Sequence, residues 1–273
     1  MPELPEVETI RRVLEHEVPG VRIDRVSGRS INMRRPLAIE KLAPLLTGAS
    51  FLTLRRRAKY LLFDFDRPGS LLVHLGMSGR IQLVDEMAPL ADHTHMILTL
   101  SDGRQLRFVD PRRFGLIDWL APGGEDTDAS LARLGIEPLD PGLVSILPPL
   151  LHERRSPIKS LLLDQRVVAG IGNIYAAEAL WRAGIHPRRA ANRTSLARLG
   201  RLAQSVQDVL KEAVDRGGTT LRDFSKPDGE MGFFAQQLAV YGRQGEECGR
   251  CGSAIRSEVI GGRTTAWCPE CQR

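Results

Sequence analysis

The chain has 273 residues, of which 42% are hydrophobic and 26% charged, values typical of a soluble protein with a sizeable core and room for two domains. No secretion signal opens the chain and no apolar stretch approaches membrane-spanning length, which argues against a secreted or membrane protein and predicts a cytoplasmic, nucleoid-associated one. The 38 basic against 33 acidic residues give a net charge of +5, a mild excess that suggests a polyanionic partner.

The chain begins Met1-Pro2-Glu3-Leu4-Pro5-Glu6. Removal of Met1 would leave Pro2 as a free secondary amine. An α-amino group titrates near about 7.7 to 8 and a lysine near about 10.4, so the terminal amine is neutral far more often at pH 7. Such an amine can form a Schiff base, and the iminium from a secondary amine stays cationic without needing a proton. Met-Pro is equally a common, inert start.

A helix is predicted to begin at Pro5 and to end before Pro19-Gly20. Acidic side chains occupy its first turn, and its apolar residues recur at helical spacing, at Val7, Ile10, Leu14 and Val18. The positive end of this helix would lie near Pro2, where it favours a neutral amine and bound anions. A helix that simply packs on a core has the same pattern.

From residue 21 to about residue 120 the pattern is that of short strands. They are predicted at 21–26, 51–54, 60–65, 71–75, 80–84, 96–100, 105–109 and 115–120. Ser101-Asp102-Gly103 is typical of a hairpin loop. Many short strands with few helices predict a β-sandwich or barrel.

The period then becomes helical. Residues 121–127 and 140–149 are rich in Pro, Gly and acidic residues and are predicted to be a linker region around a short helix at 129–134. Ser156-Pro157 is typical of a helix start, a second helix is predicted over 173–183, and a third over 195–216. Gly217-Gly218 ends the third.

The segment from Leu151 to Leu202 is strongly basic, with ten Lys and Arg residues against three acidic ones. It contains Gly170-Ile171-Gly172-Asn173, where glycines followed by a helix start let backbone N–H groups approach a phosphate. The sequence therefore suggests a phosphate-binding surface. A solvated helix face is the alternative explanation for the charge.

All four cysteines lie near the carboxyl end, as Cys248-x2-Cys251 and Cys268-x2-Cys271 separated by sixteen residues. This spacing predicts a zinc ribbon in which one structural Zn²⁺ is held by all four thiolates and its binding is coupled to folding. Two disulfides are the alternative. Between the pairs, Gly261-Gly262-Arg263 places an arginine at a predicted hairpin tip, where it suits a phosphate or simply faces solvent.

These features resemble a known family. The motifs that carry the resemblance are residues 2–9, Arg57-Ala58-Lys59-Tyr60-Leu61, His74-Leu75-Gly76-Met77-Ser78-Gly79, Asp110-Pro111-Arg112-Arg113-Phe114-Gly115, Gly170-Ile171-Gly172-Asn173-Ile174-Tyr175 and the terminal zinc ribbon. Together they are similar to the bacterial formamidopyrimidine-DNA glycosylases, in family order and from end to end of the chain. One departure is His93-Thr94-His95, where the family pattern has His-Asp-His; no metal site is inferred from these two histidines.

The resemblance implies an α+β fold of three domains, with DNA held in the cleft between domains. They are an N-terminal catalytic β-sandwich over 1–127, a helix-two-turns-helix domain over 128–235 and a zinc finger over 236–273. It implies that Pro2 attacks C1′ of a flipped nucleotide and releases the damaged base. Elimination at both phosphates then leaves a one-nucleotide gap.

Roles for further residues also come from the resemblance. Glu3 is implied as proton donor, Glu6 as a supporting residue, Lys59 as proton donor for β-elimination, and Arg263 as the corresponding donor or phosphate contact for δ-elimination. Phosphate or DNA contacts are implied for His74, His93, Arg112, Lys159 and Asn173. Base flipping leaves a gap in the duplex, which the family fills with residues matching Met77, Arg112 and Phe114. By residue type alone, Met77 and Phe114 would be core residues and Lys59 a solvated charge.

Residues 219–224 correspond to a lesion-capping loop in the family, and Gly217-Gly218 could supply hinge freedom. The implied partner is duplex DNA with oxidised bases or abasic sites, bound by a monomer. Two alternatives remain open. An enzyme of endonuclease VIII type would prefer oxidised pyrimidines, although Leu4 and Arg112-Arg113-Phe114 disfavour it. A non-catalytic zinc-ribbon DNA-binding protein would be indicated by a blocked amino terminus.

Overall fold

The computed structural model of the chain describes residues 2–219 and 237–273. Two compact units are present. The described residues of the first are 2–132 and 217–219, and those of the second are 133–216 and 237–273. Beyond Thr219, the predicted lesion-capping loop lies outside the described residues, as does Met1.

The described residues of the first unit form two helices and ten strands. They are α1 (Leu4–Glu17), β1 (Ile23–Gly28), β2 (Ile31–Asn32), β3 (Pro36–Leu37), α2 (Ile39–Leu46), β4 (Phe51–Arg57), β5 (Tyr60–Phe65), β6 (Ser70–His74), β7 (Arg80–Asp85), β8 (Thr94–Leu100), β9 (Arg104–Val109) and β10 (Leu116–Leu120). All eight predicted strands are present, within a few residues of their predicted bounds.

Eight of these strands form two four-stranded antiparallel sheets, in the orders β1-β8-β9-β7 and β10-β6-β5-β4. One hydrophobic cluster joins both sheets, from Phe63 and Val73 in one to Leu98 and Phe108 in the other. The apolar face of α1 joins the same cluster. The predicted β-sandwich with an amino-terminal helix is confirmed, and its core holds the start of α1 in place.

The second unit is helical and ends in a β-hairpin. Its elements are α3 (Leu143–His152), α4 (Ile158–Leu163), α5 (Asn173–Ala183), a 3₁₀ turn (Ala191–Arg193), α6 (Leu196–Asp215), β11 (Arg256–Ile260) and β12 (Arg263–Trp267). Helices α3 and α5 both pack on α6. Turns connect α4 to α5, as expected for a helix-two-turns-helix element, and the three predicted helices of this region are confirmed. No helix within 2–219 or 237–273 has the length and apolar character needed to cross a membrane.

The linker predicted at 140–149 is wrong, because most of it belongs to α3. Pro148 and Pro149 lie inside this helix, where each removes a backbone hydrogen bond at a cost of about 3 kcal/mol. Leu143, Leu147 and Leu151 share one face and are fully buried, and burial contributes roughly 1.5 to 3 kcal/mol for each. Burial against α6 thus offsets the prolines that mislead sequence analysis.

The short helix predicted at 129–134 is also wrong. This segment forms turns, and the Asp128 carboxylate accepts the backbone N–H groups of Ser130 at 2.8 Å and Leu131 at 3.3 Å, as it would at the start of a helix. The guanidinium of Arg35 binds the same carboxylate at 2.6 Å. A helix does not continue, because the Gly135 N–H donates to the Gln165 carbonyl at 2.8 Å and Ile136 pairs with Val168.

Candidate active site and nucleic-acid interface

The amino-terminal residues form a buried capping box at the start of α1. The Glu3 carboxylate accepts the Glu6 backbone N–H, and Glu6 Oε2 accepts the Glu3 backbone N–H at 2.8 Å. Pro2, Glu3 and Glu6 are all buried. Both carboxylates lie at the positive end of the helix dipole, which stabilises negative charge there. Pro2 is therefore followed by two carboxylates in a defined geometry.

Glu6 also binds a residue 213 positions later in the chain. Its Oε1 accepts the backbone N–H of Thr219 at 2.9 Å and the Thr219 hydroxyl at 2.7 Å. Gly218 has a φ of 78°, and a Cβ at this position would lie 3.1 Å from Glu6 Oε1. Glycine thus lets the backbone approach the carboxylate. The family resemblance implies a supporting role for Glu6, but nothing in the sequence indicates that Thr219 is its partner.

Lys59 lies in the two-residue turn between β4 and β5, after Ala58, which has a φ of 53°. The side chain is not a solvated charge, because the residue is only 7% exposed. Two of the arginines before it are paired with acids, Arg55 with Asp64 at 2.6 Å and Arg56 with Glu8 at 2.9 Å. The charges of these two arginines are therefore largely neutralised, and the buried lysine is distinct from them.

His74 ends β6 as a buried, neutral imidazole. Burial lowers its pKa to about 3, and the positive charges of Arg34 and Lys59 act in the same direction. Its Nδ1 accepts the Gly76 backbone N–H at 2.9 Å, so the proton of the neutral ring is on Nε2. The ring contacts Tyr60, with the centroids 4.6 Å apart. His74 thus presents a neutral N–H donor of fixed orientation.

Met77 and Phe114 are exposed, so the alternative that they belong to the core is wrong. Their exposed fractions are 36% and 47%, whereas most large apolar residues of this unit are buried. The guanidinium of Arg112 lies 4.8 Å from the centroid of the Phe114 ring. The loops that carry Met77 and Phe114 are in contact, because a Cβ on Gly76 would fall 2.4 Å from the Phe114 carbonyl carbon.

The fully buried Asp110 holds these two loops together. Its carboxylate accepts the Ser78 hydroxyl at 2.6 Å through Oδ1 and the Gly115 backbone N–H at 2.8 Å through Oδ2. The Ser78 hydroxyl oxygen accepts the Arg112 backbone N–H at 3.2 Å. Asp110 and Ser78 lie inside the motifs that carry the family resemblance, but the sequence alone shows no role for them. In the structure, Asp110 and Ser78 fix the loops that carry the exposed trio of Met77, Arg112 and Phe114.

His93 and His95 have different environments. His93 is exposed and has a φ of 64°, whereas His95 is buried with Nε2 2.8 Å from the Asp110 carbonyl oxygen. The only group of residues suited to hold a metal, within the part of the chain that the structure describes, is the four cysteines.

In the second unit, Lys159 and Asn173 meet the finger hairpin. Lys159 is fully buried, and its ammonium donates to Asn173 Oδ1 at 2.6 Å and to the Thr265 hydroxyl. Asn173 begins α5, and its amide donates to the Thr264 carbonyl at 2.9 Å. Arg263 is exposed directly after a turn whose two glycines both have positive φ. Three of the predicted phosphate contacts are thus grouped at this end of the unit.

Other basic residues of this region form ion pairs instead. These pairs join Arg166 to Asp164 at 2.8 Å, Arg182 to Glu212 at 2.7 Å and Arg188 to Glu258 at 2.6 Å. Because their charge is partly neutralised, the excess of basic residues in the sequence overstates the positive charge available to a polyanion.

The four cysteines are free thiols whose sulfurs all lie within 4.8 Å of one another. The Cys248–Cys271 and Cys251–Cys268 sulfur distances are 3.9 Å and 3.4 Å. A disulfide needs about 2.05 Å, whereas Zn–S bonds of about 2.3 Å put tetrahedral sulfurs about 3.8 Å apart. The donor set and spacing fit a structural zinc site and not the disulfide alternative.

The protonation of Cys248 is shifted toward the thiolate that a metal requires. Burial raises the pKa of this thiol, but hydrogen bonds from the backbones of Arg250 and Cys251 help to lower it to a net value of about 6. Thiolate is the form of cysteine that binds metal.

Three family models match successive parts of the chain. Residues 1–117 match the formamidopyrimidine-DNA glycosylase N-terminal domain, 134–225 the H2TH domain of the same enzymes, and 245–273 a zinc finger found in FPG and IleRS. The formamidopyrimidine-DNA glycosylase of Xanthomonas euvesicatoria is 50% identical over 274 residues, covering both chains completely. Lactococcus lactis Fpg bound to abasic-site DNA superposes with a TM-score of 0.91 at 34% identity, covering 99% of each chain. A mutant of that protein bound to Fapy-dG DNA gives 0.90 at 34% identity over both complete chains.

Proposed function

Because this chain belongs to the formamidopyrimidine-DNA glycosylase family, we propose that it acts in base-excision repair as a bifunctional enzyme. It removes oxidised purines, 8-oxoguanine and formamidopyrimidines, from duplex DNA. It then cleaves the resulting abasic site by β,δ-elimination through an iminium on Pro2.

The observation that carries this proposal is the capping box that follows Pro2. Glu6 binds the N–H of the Pro2–Glu3 peptide bond and so fixes the residue that bears the amine. The Glu3 carboxyl group is held one residue away. A nucleophile and a proton-transfer group on adjacent, buried residues are what attack at a sugar carbon requires.

The chemistry follows from these two groups. The neutral Pro2 amine uses its lone pair to form a bond to C1′, the bond from C1′ to the damaged base breaks, and the proton that the Pro2 nitrogen then carries passes to the departing base. Glu3 donates a proton to the sugar ring oxygen, so the ring opens and the iminium forms. Since the iminium withdraws electrons, the C2′ proton becomes acidic. When the Glu3 carboxylate accepts this proton, the electron pair that it leaves forms a C2′=C3′ double bond, and the C3′–O bond to phosphate breaks first. Loss of the 5′ phosphate follows.

Lys59 and Arg263 serve the two eliminations. Lys59 is buried, with its positive charge acting on His74, and its ammonium can supply a proton during β-elimination. Arg263 is exposed at the finger hairpin, where its guanidinium can donate to the departing phosphate. Met1 must be removed for any of these steps, because an amide nitrogen at Pro2 would not attack.

The DNA backbone is held by neutral and positive donors on each unit. On the first unit His74 offers an Nε2–H, with exposed His93 and Arg112 beside the same loops. On the second, Asn173 and Arg263 contact phosphate, while the fully buried Lys159 orients the Asn173 amide and supplies charge behind it. These contacts position DNA without reading its sequence, as an enzyme that scans arbitrary DNA requires.

The exposed trio fills the space left by the flipped nucleotide. Met77 and Phe114 act as apolar wedges, and their exposure is otherwise costly for a protein in water. Arg112, whose guanidinium lies over the Phe114 ring, hydrogen-bonds the base that flipping leaves unpaired. Asp110 keeps both loops in register during insertion.

Several finer features complete the proposal. One zinc ion per chain is bound by Cys248, Cys251, Cys268 and Cys271 in a purely structural role, since four thiolates leave no position for substrate. The protein acts as a monomer associated with the nucleoid. Its domain boundaries lie at 1–127, 128–235 and 236–273.

Excision from defined duplexes tests the proposal. With 8-oxoguanine opposite cytosine, the protein should release the base and leave phosphates at both sides of a gap, whereas thymine glycol should be a poor substrate. Pro2→Gly should lose this activity, while Pro5→Ala, which changes another proline of the same segment, should keep it. Preference for thymine glycol would favour an endonuclease VIII type enzyme. Binding without excision of either lesion would favour a non-catalytic DNA-binding protein.

A further inference from the structure

The indole of Trp181 has an unexplained polar atom. Trp181 lies near the end of α5, and its Nε1 is completely shielded from solvent. Within residues 2–219 and 237–273 this N–H makes no hydrogen bond of ordinary geometry. A buried N–H without an acceptor costs roughly 1 to 3 kcal/mol, so a specific acceptor is expected.

The surroundings of the indole identify that acceptor. Trp181 packs against an apolar cluster that contains Cys248, Cys268 and the partly buried Cys271, together with Val240. Within this cluster Cys248 contributes a buried sulfur, and it belongs to the cysteine pair that flanks Arg250. A metal-bound thiolate carries negative charge and still accepts such bonds.

The segment between the first two cysteines also contacts Trp181. Arg250, between Cys248 and Cys251, places its guanidinium carbon 3.9 Å from the centroid of the Trp181 ring. The same guanidinium donates to the Trp181 carbonyl at 3.2 Å. This stacking fixes the indole against the cysteine pair, so its N–H cannot readily turn to another acceptor.

The helix that carries Trp181 begins at Asn173. Asn173 donates to Thr264 of the finger hairpin, and Glu178 accepts the backbone N–H groups of Val240 at 3.0 Å and Tyr241 at 2.9 Å. Helix α5 therefore contacts the finger at its beginning, middle and end. A change at the cysteine cluster would reach Asn173 through a rigid helix.

We propose that Trp181 is a positioning residue of the zinc site, whose indole N–H donates a hydrogen bond to the Cys248 thiolate and thereby couples metal binding to the placement of α5. The bond stabilises charge on the sulfur and fixes the first cysteine pair on the helix. The consequence for Asn173 as a phosphate contact rests on the proposed function. The consequence for metal binding does not.

Metal binding by the full-length protein tests the inference. Trp181→Phe keeps an aromatic ring for Arg250 but removes the N–H. Zinc affinity, measured by chelator competition, should fall by about tenfold, the scale typical of a lost outer-shell hydrogen bond. In cobalt-loaded protein the thiolate-to-metal charge-transfer band should move to lower energy. The matched control is Trp267→Phe, which removes an indole next to Cys268 that contacts His186, and it should change neither measurement appreciably.

Unchanged affinity and band position in Trp181→Phe would overturn the inference. If that variant does not fold, wild-type protein loaded with an NMR-active cadmium isotope decides the question. The indole proton of Trp181 should then show scalar coupling to cadmium through the hydrogen bond. An indole proton with no coupling and no shift on metal loading would contradict the proposed bond, whatever the activity on DNA.

Discussion

The bond network of Glu6 allows a quantitative test by Glu6→Gln. In the wild-type protein Oε2 accepts the Glu3 N–H, and Oε1 accepts the N–H and hydroxyl of Thr219. A glutamine presents one oxygen and one NH₂ group. Whichever way the amide is placed, its NH₂ faces one of the two backbone N–H groups. The substitution therefore leaves one buried N–H without an acceptor.

The magnitude follows from this count. In the wild-type protein each hydrogen bond to the charged carboxylate contributes about 1.5 to 3 kcal/mol. In the variant the unsatisfied buried N–H costs about 1 to 3 kcal/mol. We expect Glu6→Gln to lower the free energy of unfolding by about 2 to 3 kcal/mol. Thr219 is fully buried, and Thr219→Val, which removes only the hydroxyl bond, should cost about 1 to 2 kcal/mol.

Chemical denaturation of both single variants and the double variant measures the coupling. It should be about 1 to 2 kcal/mol, because both changes remove the same hydroxyl-to-carboxylate bond. Hydrogen exchange of the Thr219 amide should accelerate in Glu6→Gln. Glu15→Gln is the control on the same helix, since Glu15 is partly exposed and paired with Arg11, and it should cost less than about 1 kcal/mol. Effects that add to within about 0.5 kcal/mol would refute the proposed network.

Three further outcomes are expected. Since the folded-state pKa of His74, about 3, lies below its ordinary value, the unfolded chain binds more protons between about pH 3 and 6.5. The free energy of unfolding of the wild-type protein should therefore fall with pH through this window, by about 1.4 kcal/mol per pH unit from this group. In denaturation experiments His74→Gln should lose this part of the pH dependence. An unchanged pH dependence would contradict a buried neutral His74. Phe114→Ala should alter unfolding by less than about 1 kcal/mol because the ring is half exposed, yet slow excision in single-turnover assays; a large loss of stability would indicate a core role. Zinc removal by a chelator should unfold the hairpin around β11 and β12 but leave the β-sandwich intact, as monitored by NMR; a finger that stays folded without metal would contradict the coupling of metal binding to folding.

Much of the fold follows from local patterns. Strand alternation places β4 to β10 within a few residues, and the bounds of α5 are predicted without error because Gly172 and Gly184 flank it. The zinc site is equally clear from the sequence, because two Cys-x2-Cys pairs at this separation are typical of a site with four thiolate ligands. In each case the signal lies within a few neighbouring residues.

The features that escape sequence analysis depend on distant partners. Burial against α6 keeps α3 helical despite Pro148 and Pro149, and no local pattern shows this. Lys159 is chemically a surface residue, yet Asn173 and Thr265 bind its ammonium in the interior. Thr219 pairs with a carboxylate near the opposite end of the chain. Such roles depend on tertiary contacts between segments far apart in sequence.

Covalent trapping tests the central claim most directly. Zinc-loaded protein from which Met1 has been removed is mixed with duplex DNA that contains an abasic site, in the presence of borohydride. Reduction of the iminium should yield a stable protein–DNA adduct, and mass spectrometry of the amino-terminal peptide should place the linkage on Pro2. Absence of an adduct, or an adduct on a lysine such as Lys59 instead, would contradict the assignment of Pro2 as the nucleophile.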